Sequence, residues 1–134
     1  MVNKRKANDL AFGFKIEKEV FELLKERYGE KLKQNGRYAT FDFETDDTQL
    51  ELKSRRIKST TYPTMMLSYH KLKKAQDDLG KKKSIILFNL NDGLFEWEYD
   101  PNGFEISMGG TMKRGCDERH LCGYIPVKNL KRFV

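Results

Sequence analysis

The sequence predicts an α/β domain with a central strand covered on both faces. Its hydrophobic patterns follow the order helix, β-hairpin, helix, strand and strand-rich tail. The run "KSIILFNL" is continuously apolar, which is typical of a central strand covered on both faces. With 134 residues, 38% of them hydrophobic and 34% charged, the chain suits one compact core, and it contains no linker or internal repeat. We therefore expect a single domain over residues 1–134.

The first predicted element is a helix over residues 8–33, with Asn8 or Asp9 as its N-cap and Gly29 or Gly36 at its end. Its apolar residues keep to one helical stripe, and they are Leu10, Phe14, Phe21, Leu24 and Tyr28. Glu17 falls within the same stripe. A carboxylate in an apolar stripe is costly unless it is paired or binds a ligand, so Glu17 is a candidate functional residue.

A β-hairpin is predicted next, because "RYATFDFE" and "QLELKSRR" both alternate with period two around "TDDT". If Asp46 and Asp47 form a two-residue turn, Asp42 lies directly opposite Glu51, and Lys53 shares a face with Glu51. Like charges that face each other across a strand pair are destabilising. The pair is explained if a positive group lies between the two acids, and a divalent metal ion that prefers oxygen ligands would serve.

The second half of the chain predicts one more helix and several strands. The helix is assigned to "TMMLSYHKLKKAQDDLG", where the apolar stripe is Met65, Tyr69, Leu72, Gln76 and Leu79 and Gly80 ends the helix. After the apolar strand "KSIILFNL", the segments "GLFEWEYD", "FEISMGG" and "LCGYIPV" are predicted strands. We interpret residues 8–90 as the core of the domain and residues 91–134 as a β-rich extension.

The charge of the chain favours a polyanionic partner. The formal net charge is +6, and a basic balance of this kind is most often associated with nucleic acid. The predicted nucleic-acid-binding residues are Arg55, Arg56, Lys58, Lys73, Lys113 and Arg114. For Arg55, which shares a face with Glu51 and Lys53, a solvated strand end is an equally good interpretation.

Two further expectations concern location and cysteine chemistry. No apolar run approaches the roughly 20 residues that span a bilayer, and no signal peptide is recognisable, so we expect an intracellular protein without a membrane partner. Cys116 and Cys122 are then expected to be reduced thiols. His120 lies between them, but a zinc site would need a fourth ligand.

Taken together, the acids and the lysine describe metal-assisted phosphodiester hydrolysis, although Glu-x-Lys alone is a common surface pattern. The sequence resembles the PD-(D/E)xK nuclease superfamily, which has the restriction-endonuclease-like fold. The residues that carry the resemblance are Gly13-x-x-x-Glu17, Asp42 of "TFDFE" and Glu51-Leu52-Lys53. The short length and the Gly-x-x-x-Glu helix are similar to archaeal Holliday junction resolvases and to phage or homing nucleases. Phe41 stands where the family motif has proline.

The resemblance implies a central mixed sheet flanked by helices and a Mg²⁺-dependent endonuclease that cleaves DNA, with Mn²⁺ able to substitute. Asp42 and Glu51 would be metal ligands, Lys53 would assist the nucleophile, and Glu17 would be an auxiliary ligand. The expected substrate is duplex or branched DNA, and a homodimer is expected because one such site cuts one strand. The alternative is a non-catalytic nucleic-acid-binding domain in which the acids are structural.

Overall fold

The computed structural model describes residues 4–108 and 121–133, with residues 4–15 described by their backbone alone. Its helices are α1 (Lys4–Tyr28) and α2 (Tyr69–Asp77), and short 3-10 turns follow at Gly29–Lys31 and Val127–Asn129. The strands are β1 (Lys33–Gln34), β2 (Phe43–Glu44), β3 (Thr48–Ser54), β4 (Thr64–Ser68), β5 (Lys83–Leu90), β6 (Gly93–Glu98), β7 (Glu105–Met108), β8 (Leu121–Pro126) and β9 (Lys131–Arg132). The fold is therefore mixed α/β, as the sequence predicted.

The strands form two sheets. The larger sheet has six strands in the order β1-β2-β3-β5-β6-β9. It is a mixed sheet because β3 and β5 are parallel, whereas every other pair of adjacent strands in it is antiparallel. The smaller sheet is antiparallel, with the order β4-β8-β7. Strands from residues 91–133 thus belong to both sheets, so this part of the chain completes the core layers instead of extending from them.

The larger sheet is covered on both faces. On one face, Val20 and Leu24 of α1 pack in one cluster with Phe43, Leu50 and Leu87. On the other face, α2 and the smaller sheet enclose a second cluster whose buried members include Leu67, Leu72, Ala75, Ile86, Phe88 and Ile125. The predicted central strand is confirmed, since β5 has buried residues on both faces. The domain therefore has three layers: α1, the larger sheet, and α2 with the smaller sheet.

The first helix begins and ends earlier than the predicted range of residues 8–33, and its end lies at Gly29, one of the two predicted positions. It starts at Lys4, so Asn8 and Asp9 lie inside the helix and the predicted N-cap is wrong. The residues before them, "KRKA", are good helix formers and carry the helix past the two capping candidates. At the other end Gly29 has a φ of +78°, a conformation that glycine adopts at little cost, and the helix gives way there to a 3-10 turn.

The second helix is shorter than predicted. Residues Thr64–Ser68 form strand β4, paired with β8 in the smaller sheet, and α2 begins only at Tyr69. Met65 and Leu67 are buried two residues apart, which fits a strand, and the helix then buries Leu72 and Ala75.

Among residues 4–108 and 121–133, no helix has a stretch long and apolar enough to cross a membrane.

Candidate active site

Glu51 lies in the middle of β3 with its side chain in the protein interior. Its chain neighbours Leu50 and Leu52 pack on the face covered by α1, so strand alternation directs Glu51 to the opposite face. Its register partner on β5, Ile86, belongs to the cluster beneath α2. Only 4% of the Glu51 side chain is exposed. The carboxylate of the Glu-x-Lys pattern is therefore buried and is not part of a solvated surface pair.

Asp42 is held next to Glu51 by the hairpin. The observed pairs Phe43 with Leu50 and Glu44 with Gln49 have the predicted register, which places Asp42 opposite Glu51, and Thr45 N donates to Thr48 O across the predicted turn. Asp42 itself lies just beyond β2, where its Oδ2 accepts a hydrogen bond from Leu52 N (2.9 Å). The side chain thus continues the β2–β3 pairing by one position and is fixed there.

Two lysines contact the Glu51 carboxylate. The Oε2 atom lies 3.0 Å from Lys71 Nζ and 3.5 Å from Lys53 Nζ. Lys71 is 13% exposed, and it also donates to the backbone carbonyl of Thr40. Lys53 is 32% exposed, so it reaches both the buried carboxylate and the surface. Lys53 therefore shares the face of Glu51, as predicted, and two acids and two lysines with compensating formal charges form the site.

One oxygen of this cluster has no hydrogen-bond donor among the described residues. Glu51 Oε1 is buried and accepts no hydrogen bond from them, which is costly for an ionised carboxylate, whereas a protonated Glu51 can share a hydrogen bond with Asp42. Burial, and to a smaller extent the neighbouring Asp42, raise the pKa of Glu51 while Lys53 and Lys71 lower it, and the resulting pKa is about 7. A cation placed against Oε1 would satisfy this atom and separate the two acids. The donor set therefore fits a divalent metal ion with oxygen ligands.

Lys71 is the site residue that the sequence interpretation missed. It lies in the first turn of α2, next to buried Leu72. The predicted helix began several residues too early and placed its apolar stripe through Tyr69 and Leu79, both of which are exposed. A helix beginning at Tyr69 would have placed Leu72 and Ala75 on the buried face and Lys71 beside them. The missing signal was thus the strand–helix boundary at Ser68.

Glu17 is placed at the edge of the sheet. It is half-buried on α1, and its Oε1 accepts a hydrogen bond from Gln34 Nε2 of β1 (2.6 Å). Within the described parts of the chain, no three His, Cys, Asp or Glu side chains lie close enough together to hold a metal ion. The structure therefore does not bring Glu17 into one group with Asp42 and Glu51, and the ligand role of Glu17 stays a prediction.

The predicted nucleic-acid-binding residues divide between the end of β3 and two other places. Arg55 follows β3 directly, and its N–H donates to Asn89 O (2.9 Å), so the extended backbone continues beyond Lys53. Arg56 and Lys58 are exposed in the loop that follows. Lys73 is exposed on α2, where it pairs with Asp77. Lys113 and Arg114 lie outside the described residues.

The cysteine expectation needs a correction. Cys122 is fully buried in β8 and is disulfide-bonded, so it is neither a reduced thiol nor a thiolate ligand for zinc. Cys116 and His120, the other residues of the possible zinc set, lie outside the described residues.

Comparison of the chain with protein-family models, with curated proteins and with solved structures finds no significant match.

Proposed function

We propose that the protein is a metal-dependent endonuclease that hydrolyses DNA phosphodiester bonds, with a restriction-endonuclease-like fold. The observation that carries the proposal is the buried carboxylate of Glu51, which lies beside Asp42, contacts two lysines and has one oxygen without a hydrogen-bond donor among the described residues. Perturbed carboxylates grouped with cations are concentrated at functional sites. The net charge of +6 adds attraction for the DNA backbone.

In this proposal Glu51 and Asp42 hold Mg²⁺, and Mn²⁺ can substitute. The metal ion, when bound, supplies Lewis-acid chemistry: it lowers the pKa of a water and neutralises charge on the phosphate. Glu51 binds a cation best in its ionised form, which a pKa of about 7 makes available at neutral pH and above. Glu17, which lies on α1 and accepts a hydrogen bond from Gln34, would be an auxiliary ligand by the sequence resemblance alone.

The two lysines have different tasks because their exposure differs. Lys53 is one-third exposed, so its ammonium group can contact the phosphate of a bound strand while it remains 3.5 Å from Glu51. There it stabilises the negative charge that develops on the phosphate. Lys71 is nearly buried between Glu51 and the Thr40 carbonyl. Lys71 therefore orients the Glu51 carboxylate and keeps it ionised, and it acts as a positioning residue.

A second function is favoured by the charge balance of the same cluster. Two lysines already compensate two carboxylates, as in a structural ion-pair network, so a non-catalytic nucleic-acid-binding domain would have the same contacts. The two functions differ in whether DNA is cut. A single site cuts one strand, so cleavage of both strands would indicate a homodimer.

Cleavage of end-labelled duplex and four-way-junction DNA tests the endonuclease proposal. We expect products in Mg²⁺ or Mn²⁺ and none in EDTA, and we expect Asp42→Asn, Glu51→Gln and Lys53→Met each to lower the rate at least about 100-fold. Exposed Glu105→Gln is the matched control and should cleave like the wild-type protein. Salt-dependent DNA binding by the wild-type protein without any cleavage would refute the enzyme and support the binding domain.

A further inference from the structure

A cavity of about 390 Å³ opens beside the end of β3, away from the acidic pair. Arg55 and Arg56 are among the residues that line it, and so is Tyr62, which has 54% of its surface exposed. The remaining wall is largely apolar and includes Ile57, Pro63 and Met65. The volume lies within the range of cavities that bind small organic groups. The combination of lining arginines, an exposed aromatic ring and an apolar wall matches the parts of a nucleotide.

Each part of this cavity has a counterpart in one nucleotide. Guanidinium groups bind phosphate oxygens bidentately. An exposed tyrosine ring offers a face on which a base can stack, independently of sequence. A base within continuous duplex DNA is already stacked on both sides, and extruding it is costly, whereas an unpaired base is free to enter. The chemistry of the cavity therefore favours an unpaired nucleotide over a paired one.

The loop that forms the cavity is held in place before any ligand binds. Lys58 N donates to Thr61 Oγ1 (3.1 Å), and Ser59 is bonded through its N–H and hydroxyl to the Asp92 carboxylate. Farther along, the Pro63 carbonyl accepts a hydrogen bond from Val127 N (2.9 Å). A site whose backbone is already ordered loses less entropy on binding. Tyr62 therefore lies on a loop whose backbone is fixed by hydrogen bonds before a ligand binds.

The position of the cavity relates it to the proposed active site. Arg55 follows Lys53 by two residues along an extended backbone, which corresponds to about 7 Å, and it follows Glu51 by four, which corresponds to about 13 Å. A DNA strand whose phosphate contacts Lys53 would therefore bring a neighbouring nucleotide to the arginines. The two sites can be filled by one strand.

We propose that this cavity binds one unpaired nucleotide next to the cleaved phosphate, with its base stacked on Tyr62 and its phosphate held by Arg55 and Arg56. The inference rests on the proposed function for the identity of the ligand, DNA. It adds a preference for DNA that has an unpaired nucleotide beside the cleaved phosphate over continuous duplex.

Binding is measured with wild-type protein in EDTA, so that the result does not depend on cleavage. Two DNA probes carry 2-aminopurine at the same position, unpaired beside a junction in one and paired in the other. We expect stronger quenching and tighter binding for the branched probe. Tyr62→Leu should lose roughly 5- to 150-fold of affinity for that probe, the range expected for one stacked base, with duplex affinity unchanged. Tyr62→Phe keeps the ring and should bind like the wild-type protein.

Equal binding of the two probes by the wild-type protein, or an unchanged preference in Tyr62→Leu, would overturn the inference. Arg56→Gln provides a second variant at an exposed residue, and it should reduce the salt slope of branched-DNA binding by about one. The proposed function fails separately, if Mg²⁺ gives no cleavage of either DNA. Cleavage that persists together with an unchanged preference in Tyr62→Leu would refute only the nucleotide cavity.

Discussion

Replacing Glu51 by glutamine should change how the stability of the fold depends on pH. The Glu51 carboxyl is buried, and its pKa in the folded protein is raised from 4.5 to about 7. A raised carboxyl pKa means that the folded protein keeps a proton that the unfolded chain releases. The stability contributed by this proton is fully present below about pH 4.5 and is lost as the pH rises through about 7. The side-chain amide of the Glu51→Gln variant is neutral at every pH and lacks this dependence.

The size of the effect follows from the displacement of the pKa. A rise of the pKa from 4.5 to about 7 corresponds to roughly 3–4 kcal/mol, since one pKa unit is equivalent to about 1.4 kcal/mol. Most of it is lost between about pH 5 and pH 8. The free energy of unfolding of Glu51→Gln, relative to wild type, should therefore rise by roughly 2–3 kcal/mol across that interval. In Glu51→Gln, Lys53 and Lys71 lose their ion pairs with residue 51, and this changes the free energy of unfolding by an amount that is nearly independent of pH.

Urea unfolding followed by fluorescence measures this difference directly. The chain has a single tryptophan, Trp97, which is 4% exposed and reports on the core. Unfolding curves at several pH values, in EDTA, give the two free-energy profiles. Exposed Glu105→Gln controls for the loss of one negative charge and should parallel wild type. Parallel profiles for wild type and Glu51→Gln would refute the raised pKa and the burial of the carboxylate on which it depends.

Four other outcomes are expected. Mg²⁺ at 100 times its Kd should stabilise wild type at pH 8 by about 2.7 kcal/mol in urea unfolding, and should not stabilise Glu51→Gln. Lys71→Met removes a charge that lowers the pKa of Glu51, so the Mg²⁺-dependent stabilisation should appear at higher pH than in wild type. Leu24→Ala truncates a fully buried contact of α1 and should lower the free energy of unfolding by about 2–5 kcal/mol. Gly29→Ala should cost about 1 kcal/mol by the same measurement, because φ is +78° there.

The register of the hairpin was predictable because it depends on local features. Two aspartates between alternating segments define a two-residue turn, and the turn fixes every pair along the two strands. This register places Asp42 opposite Glu51, and strand alternation places Glu51 and Lys53 on the same face. The long apolar run of β5 was predictable for a similar reason, since only a strand covered on both faces tolerates it.

The boundary between β4 and α2 was not predictable, because "TMMLS" has apolar residues that suit either element. Its conformation is decided by strand β8, which pairs with it from about 60 residues further along the chain. Because residues 64–68 pair with β8, α2 begins only at Tyr69. In this helix Lys71 contacts Glu51, and Leu72 lies against Gly123 of β8. Contacts between distant parts of the chain have no signature in the local pattern.

The sequence by itself determined which groups of the proposed site lie on one face: two carboxylates and a lysine on adjoining strands. The tertiary structure decided their chemical state. Burial beneath α2 and the smaller sheet raises the pKa of Glu51, places one of its oxygens where no described residue donates to it, and brings Lys71 to the other. Alternation along a strand fixes direction, but burial depends on what the rest of the chain places over that face.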